Sequence, residues 1–120
     1  MREHIYRGQR LDTGEWVEGS AITASDGSCA ITFELKGEDW DAEQVSPLTL
    51  GEFSSEFDVA GRRIFEDDVC VDALGDKWVI IFKKAAFMAR GLESGVYWRN
   101  LDGSKLTVVG NIHDDKKGWL

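Results

Sequence analysis

Short alternating runs, separated by turn residues, recur along the whole chain. In Ala30-Ile31-Thr32-Phe33-Glu34-Leu35-Lys36, Ile31, Phe33 and Leu35 fall on one side and Thr32, Glu34 and Lys36 on the other. That period of two is the mark of a half-buried strand. Glu15-Trp16-Val17-Glu18 reads as a strand entered through the turn Asp12-Thr13-Gly14. Asp26-Gly27 predicts a tight turn between Ala21-Ile22-Thr23 and the Ile31 strand, because both residues tolerate positive φ. In the second half, Val69–Leu74 and Lys77–Phe82 flank Gly75-Asp76, the spacing of an antiparallel hairpin. The unbroken apolar run Trp78–Phe82 predicts a central strand buried on both faces. Val96–Arg99 and Lys105–Val109 flank Asp102-Gly103, a further hairpin signal. Gly61 is expected at positive φ in a turn between Phe57 and Ile64. Helix is expected only over Asp39–Val45, as one or two turns ending before Pro47. The pattern predicts a mainly β protein of small antiparallel sheets with little helix, and a core that includes Phe33, Val79, Ile81 and Val108. The acidic turn Glu66-Asp67-Asp68 leading into Val69–Val71 adds an SH3-like barrel as an expected component.

At 120 residues, 42% hydrophobic and 30% charged, the chain can bury a core. The expectation is a single domain over 1–120, with two subregions meeting near residue 60. The net charge of −8 argues against a general binder of phosphate backbones. Charge is uneven, however. Residues 1–60 hold four basic and thirteen acidic side chains, and residues 61–120 hold ten and nine. Between residues 34 and 58 eight acids face one base, Lys36. Such a cluster is either a solvated face or a docking face for a basic partner. On the docking reading Glu38, Asp39, Asp41 and Glu43 supply the attraction. Trp40, Phe53 or Phe57 then supplies an apolar anchor, Trp40 being the first choice. The rival reading uses the basic half. Arg62-Arg63, Lys83-Lys84, Arg90 and Arg99 lie among Phe65, Phe82, Phe87, Tyr97 and Trp98, a composition suited to single-stranded nucleic acid. Its plainer counterpart has the aromatics as core and the cations as rim.

Catalytic chemistry has little to work with. His4, Cys29, Cys70 and His113 are the whole complement of His and Cys, and none stand at metal-ligand spacing. No phosphate-cradling glycine motif occurs. The adjacent acids Asp67/Asp68 and Asp114/Asp115 sit at turns, where carboxylates are ordinarily solvated. The expectation is a nonenzymatic protein with no catalytic, metal or cofactor site. Both cysteines are expected buried and reduced. The opening residues carry no secretory pattern, and the longest strongly apolar run is the five residues Trp78–Phe82. A bilayer span takes about 20 residues, so the expected compartment is the cytoplasm, with no membrane association.

Three segments together carry a resemblance. Tyr6-Arg7-Gly8-Gln9-Arg10 is followed by Gly14-Glu15-Trp16-Val17-Glu18-Gly19. A central stretch runs from Glu52 through Asp58-Val59-Ala60-Gly61 and Ile64-Phe65-Glu66-Asp67-Asp68 to Val69. The third is Val108-Val109-Gly110-Asn111-Ile112-His113-Asp114. In order and spacing they resemble the YopX family of small phage and prophage proteins. Arg7, Gly8, Trp16, Gly61, Asp68, Gly110 and Asn111 stand at its motif positions. Where the family pattern has glycine in Thr-Gly and in Glu-Gly-Asp, this chain has Ser55 and Asp67. The resemblance implies a mostly β protein encoded by a phage or prophage and acting in a bacterial host. It brings no reaction, ligand or catalytic set. The expected role is that of an accessory protein that binds a host or phage protein, one with a basic surface, or that self-associates. Nucleic-acid binding is the alternative.

Overall fold

The computed structural model describes residues 4–34, 40–83, 85–92 and 98–114, without the side chains of Glu34 and Trp40. Among them, regular structure is strand apart from two single 3₁₀ turns, Pro47–Thr49 and Gly103–Lys105. The chain divides into two compact units, Met1–Phe53 and Ser54–Leu120.

The first unit contains Tyr6–Gln9 (β1), Trp16–Thr23 (β2), Cys29–Glu34 (β3), Trp40–Val45 (β4) and the opening of Gly51–Phe57 (β5). They form an antiparallel sheet in the order β4-β3-β2-β1-β5. Gly14 and Gly27 take φ of 76° and 89° in the two expected turns. Asp26 braces the second, its Oδ1 accepting from Ser28 N at 2.9 Å and Ser28 Oγ at 2.6 Å. Cys29, Ile31 and Val45 form the buried cluster, with Tyr6, Val17, Ala21, Phe33 and Leu50 packed against it. Phe33 is therefore a half-buried flank of the core.

The helix expected over Asp39–Val45 does not form in the described part. Residues 40–45 are β4, paired with β3 from Glu34↔Trp40 to Cys29↔Val45. Two helical turns carry the full nucleation cost with few bonds to offset it. The edge of β3 offers a continuous ladder instead, and it seats Val45 in the core with no exposed surface.

The second unit holds the remainder of β5, paired with Arg63–Phe65 (β6), and a five-stranded antiparallel sheet. The sheet comprises Asp68–Val71 (β7), Lys77–Lys83 (β8), Ala86–Gly91 (β9), Trp98–Asn100 (β10) and Thr107–Asn111 (β11), in the order β10-β9-β8-β7-β11. Gly75 at φ 85° turns the expected β7–β8 hairpin. Strand β8 is central, as its apolar run predicts, but only Trp78, Val79 and Ile80 are buried. Ile81 is half-buried and Phe82 is exposed. Ile64, Cys70, Trp78, Ile80, Ala89 and Leu106 form the core cluster, with Phe87, Leu101 and Val108 against it. Of the four expected core residues, Val79 is buried while Phe33, Ile81 and Val108 are intermediate.

Two expectations are corrected here. Asp102-Gly103 does not close a hairpin: β10 pairs with β9 and β11 with β7. The aspartate instead caps the 3₁₀ turn, accepting from Ser104 N and Oγ, and the turn redirects the chain to the far side of the sheet. The SH3-like barrel is also absent as a closed object among the described residues. A meander returns its last strand to its first, but β10 and β11 remain the two edges of an open sheet. A three-residue β10 is spent on its pairing with β9.

Candidate functional site

The acids described between residues 41 and 58 have separate local tasks. Asp41 accepts from the N–H of Ala42 at 2.8 Å, which covers a donor on an edge strand. Glu43 lies 3.3 Å from Arg10, which also makes two hydrogen bonds to Asp12 at 2.9 and 3.0 Å. Those bonds raise the Arg10 pKa and lower that of Asp12. Glu52 contacts His4 at 3.2 Å, and Glu56 accepts from Gly103 N at 3.1 Å. Asp58 is buried. Of the anchor candidates, Phe53 is buried and so unavailable to a partner, whereas Phe57 is half exposed. Glu38, Asp39 and the Trp40 side chain lie outside the described residues.

The motif residues build the scaffold. In the first unit the Arg7 guanidinium lies over the Trp16 ring, 4.6 Å from its centroid. A Cβ on Gly8 would come 2.9 Å from Val45 Cγ2, so glycine there lets the core valine seat. In the second unit Asp58 organises a turn. Its Oδ1 accepts from Ala60 N and Arg62 N, and its Oδ2 from Arg62 Nε and Val108 N, all at 2.9–3.0 Å. Burial opposes its ionisation, but the N–H groups of Val108, Arg62 and Ala60 and the Arg62 charge outweigh that and lower its pKa. Gly61 takes φ 81° inside this turn, as its position predicts. Asp68, fully buried, accepts from Phe65 N at 2.8 Å and from Asn111 Nδ2 at 3.0 Å. This bond joins the central and closing segments. Gly110 follows the register shift in the β11–β7 ladder. Asp67 stands at φ 72° with His113 Nε2 3.2 Å from its Oδ2. Cys70 is a buried free thiol whose pKa burial and the Asp68 charge push up to about 12, which makes it unreactive. Among the described residues no three His, Cys, Asp or Glu side chains are grouped to hold a metal ion. No described helix is long and apolar enough to cross a membrane.

In the basic half, cations already occupy aromatic faces. Lys83 lies 4.4 Å and Arg90 5.8 Å from the Trp98 centroid. Phe65 is buried, and Phe82 and Phe87 lie against each other, with centroids 4.7 Å apart and planes tilted by 53°. Tyr97 lies outside the described residues.

A groove of about 560 Å³ lies in the second unit. Val71 and Thr107, opposite one another on β7 and β11, line it. Leu74, in the β7–β8 turn and 87% exposed, and Val59, in the Asp58 turn and 61% exposed, give it apolar walls. Arg99 from β10 and Lys105 from the 3₁₀ turn add positive charge. Asp72 supports this wall from beneath. Its Oδ1 accepts from Leu74 N and Asp76 N at 3.0 Å, and its Oδ2 accepts from Trp78 Nε1 at 3.1 Å. Arg99 Nη2 stands 3.6 Å from Oδ2, and its guanidinium lies 4.0 Å over the Trp78 ring. The indole N–H, with the two backbone N–H groups and Arg99, lowers the Asp72 pKa against desolvation. The sequence reading missed this site. Its signal was Leu74, an aliphatic residue directly before Gly75 in a turn where polar residues are the rule.

A comparison with curated proteins finds no match. The family model described as YopX protein matches residues 5–117. That span takes in Arg7 and Trp16, the Asp58 turn and the Asp68–Asn111 bond alike, and the chain therefore belongs to the YopX family.

Proposed function

We propose that this is a noncatalytic accessory protein of a phage or prophage, acting in the bacterial cytoplasm by binding another protein. The observation that carries the reading is the groove of the second unit. A leucine 87% exposed and a valine 61% exposed flank one concavity, beside a guanidinium fixed by Asp72 and Trp78. Exposed aliphatic groups around a preformed recess, with a few oriented polar groups, are the composition of a recognition site. The noncatalytic part is supported by the carboxylates. Asp58, Asp68 and Asp72 each accept backbone or indole N–H bonds, so they serve as struts and not as proton-transfer groups. The family membership supports the phage or prophage setting through the resemblance described above. The nucleic-acid alternative is weakened by the cations that cover Trp98 and by the burial of Phe65.

A photo-crosslinking residue at position 74 tests the reading in cells of a host carrying the phage. The expected result is a discrete adduct that excess unmodified protein suppresses. The same crosslinker at Ile22, exposed in the first unit, serves as the control. Equal labelling from both positions would reject the groove as the binding site.

A further inference from the structure

Resting on the groove as the binding site, we infer that its occupant is a segment of a partner protein carrying a carboxylate side chain beside an aliphatic one. The argument is charge complementarity in a groove that combines cations with aliphatic surface. Arg99 is 40% exposed, and its contact with Asp72, at 3.6 Å, is longer than a hydrogen bond. One face of the guanidinium rests on Trp78. The fork is thus held in place while retaining N–H donors for an incoming group, the geometry that suits a carboxylate. Lys105, 74% exposed and 3.9 Å from Asp102, adds a second cation to the lining. The one acid in the lining, Asp72, offsets part of the Arg99 charge, but both its oxygens are engaged and it is 11% exposed, so the cations are the groups open to an incoming anion. Leu74 and Val59 offer aliphatic surface with no charge to the same groove. A nucleotide would need an open aromatic face, whereas Trp78 is buried beneath Arg99. An aliphatic residue adjacent to Asp or Glu matches both kinds of lining group.

Selection from a library of random linear peptides against the intact protein tests the inference. The enriched peptides should share Asp or Glu next to Leu, Ile or Val. Measured by fluorescence polarisation, their affinity should fall about tenfold or more in Arg99→Gln. Leu74→Ser should lower it through lost apolar contact, with no change of charge. Because Arg99 also packs on Trp78, Lys105→Ser is the second charge variant. It lies on the exposed turn and should weaken binding less while leaving the circular-dichroism spectrum unchanged. Added salt should weaken the wild-type complex and have less effect on the Arg99→Gln complex. No enrichment, peptides without an acid, or equal binding by Leu74→Ser would each overturn the inference. So would Arg99-dependent binding of oligothymidylate, which would make the occupant a nucleic acid. Concentration-dependent self-association abolished by Leu74→Ser would make it a second copy. If position 74 crosslinks a partner while the selected peptides lack acids, the groove remains the binding site and only its chemistry is wrong.

Discussion

At the scale of single residues, backbone conformation explains the two departures from the family pattern. Ser55 and Asp67 stand where that pattern has glycine, and both take φ of 72°. The left-handed region costs an ordinary L residue about 1–2 kcal/mol. Aspartate lessens the cost by local hydrogen bonding, and serine does so less. Ser55→Gly should therefore stabilise the fold by about 0.5–1 kcal/mol, after allowing for the greater freedom of glycine in the unfolded chain. Asp67→Gly should gain less or lose, because it also removes the 3.2 Å contact with His113. Ala85, at φ 62° in the β8–β9 turn, should behave like Ser55 when changed to glycine. Gly61 is the reverse case. A side chain there meets nothing within 4 Å, so Gly61→Val should cost about 2 kcal/mol by backbone strain alone. Urea denaturation of the four variants checks the set. Equal stability for Ser55→Gly and wild type would contradict the strain argument. Gly61 was readable from the sequence because glycine between two strands has few other uses. Ser55 was not, since serine inside a strand carries no mark of positive φ.

Between elements, buried carboxylates do the joining. Asp58 ties the β5–β6 turn to β11 through Val108 N, and Asp68 ties β6 and β7 to Asn111. Removing the Asp58 carboxylate leaves backbone N–H groups without acceptors. Asp58→Ala should cost about 3 kcal/mol or more, and Asn111→Ala about 2 kcal/mol. Thermal unfolding followed by circular dichroism measures both losses. The folded-state pKa values of Asp58 and Asp72 lie below the ordinary carboxylate value. Their stabilisation is therefore fully present above the unfolded value near 4, and it is lost as pH falls through the lower folded values. Stability should be level from about pH 7 to pH 5 on their account and decline below about pH 4. In Asp58→Asn the acid decline should be shallower. A wild-type midpoint unchanged between pH 5 and pH 3 would sink the assignment. Strand identity was legible wherever the apolar pattern was strong, as alternation at Ile31 and as an unbroken run at Trp78. It failed at residues 40–45, where Asp41, Ala42 and Glu43 have weak strand preference and the pairing with β3 decides. The β11–β7 pairing was illegible because it joins residues about 40 apart, and nothing local announces a return to an earlier strand. Leu74 was visible in the sequence, but its partners in the groove, Arg99 and Lys105, come from elements that only the fold brings near it.

For the whole molecule, the two units differ in core and in charge. Among the described residues, the first unit buries Cys29, Ile31, Val45 and Phe53, while the second buries nine hydrophobic residues from Ile64 to Leu106. The first unit also carries eleven acidic and four basic side chains, against eleven and ten in the second. Less apolar burial and more self-repulsion both point to lower local stability in the first unit. Native-state hydrogen exchange should therefore show weaker protection in β2 and β3 than in β7 and β8. Salt separates the two causes. Raising ionic strength to about 0.5 M shortens the Debye length to about 4 Å, which weakens repulsion between acids spread over a surface. It also weakens the local pairs of Arg10 with Asp12 and Glu43, but such solvent-exposed pairs contribute little. The net effect should be increased protection in β2 and β3 with added sodium chloride, and little change in β7 and β8. Charge reversal of Asp41 together with Glu15 and Glu18, all in the first unit, should produce the same gain at low salt and abolish the response to high salt. If protection in the first unit falls with salt, the ion pairs dominate and the excess of acids has no stability cost. If it is insensitive, core size alone sets the difference. In either case the acidic excess would no longer account for the weakness of the first unit.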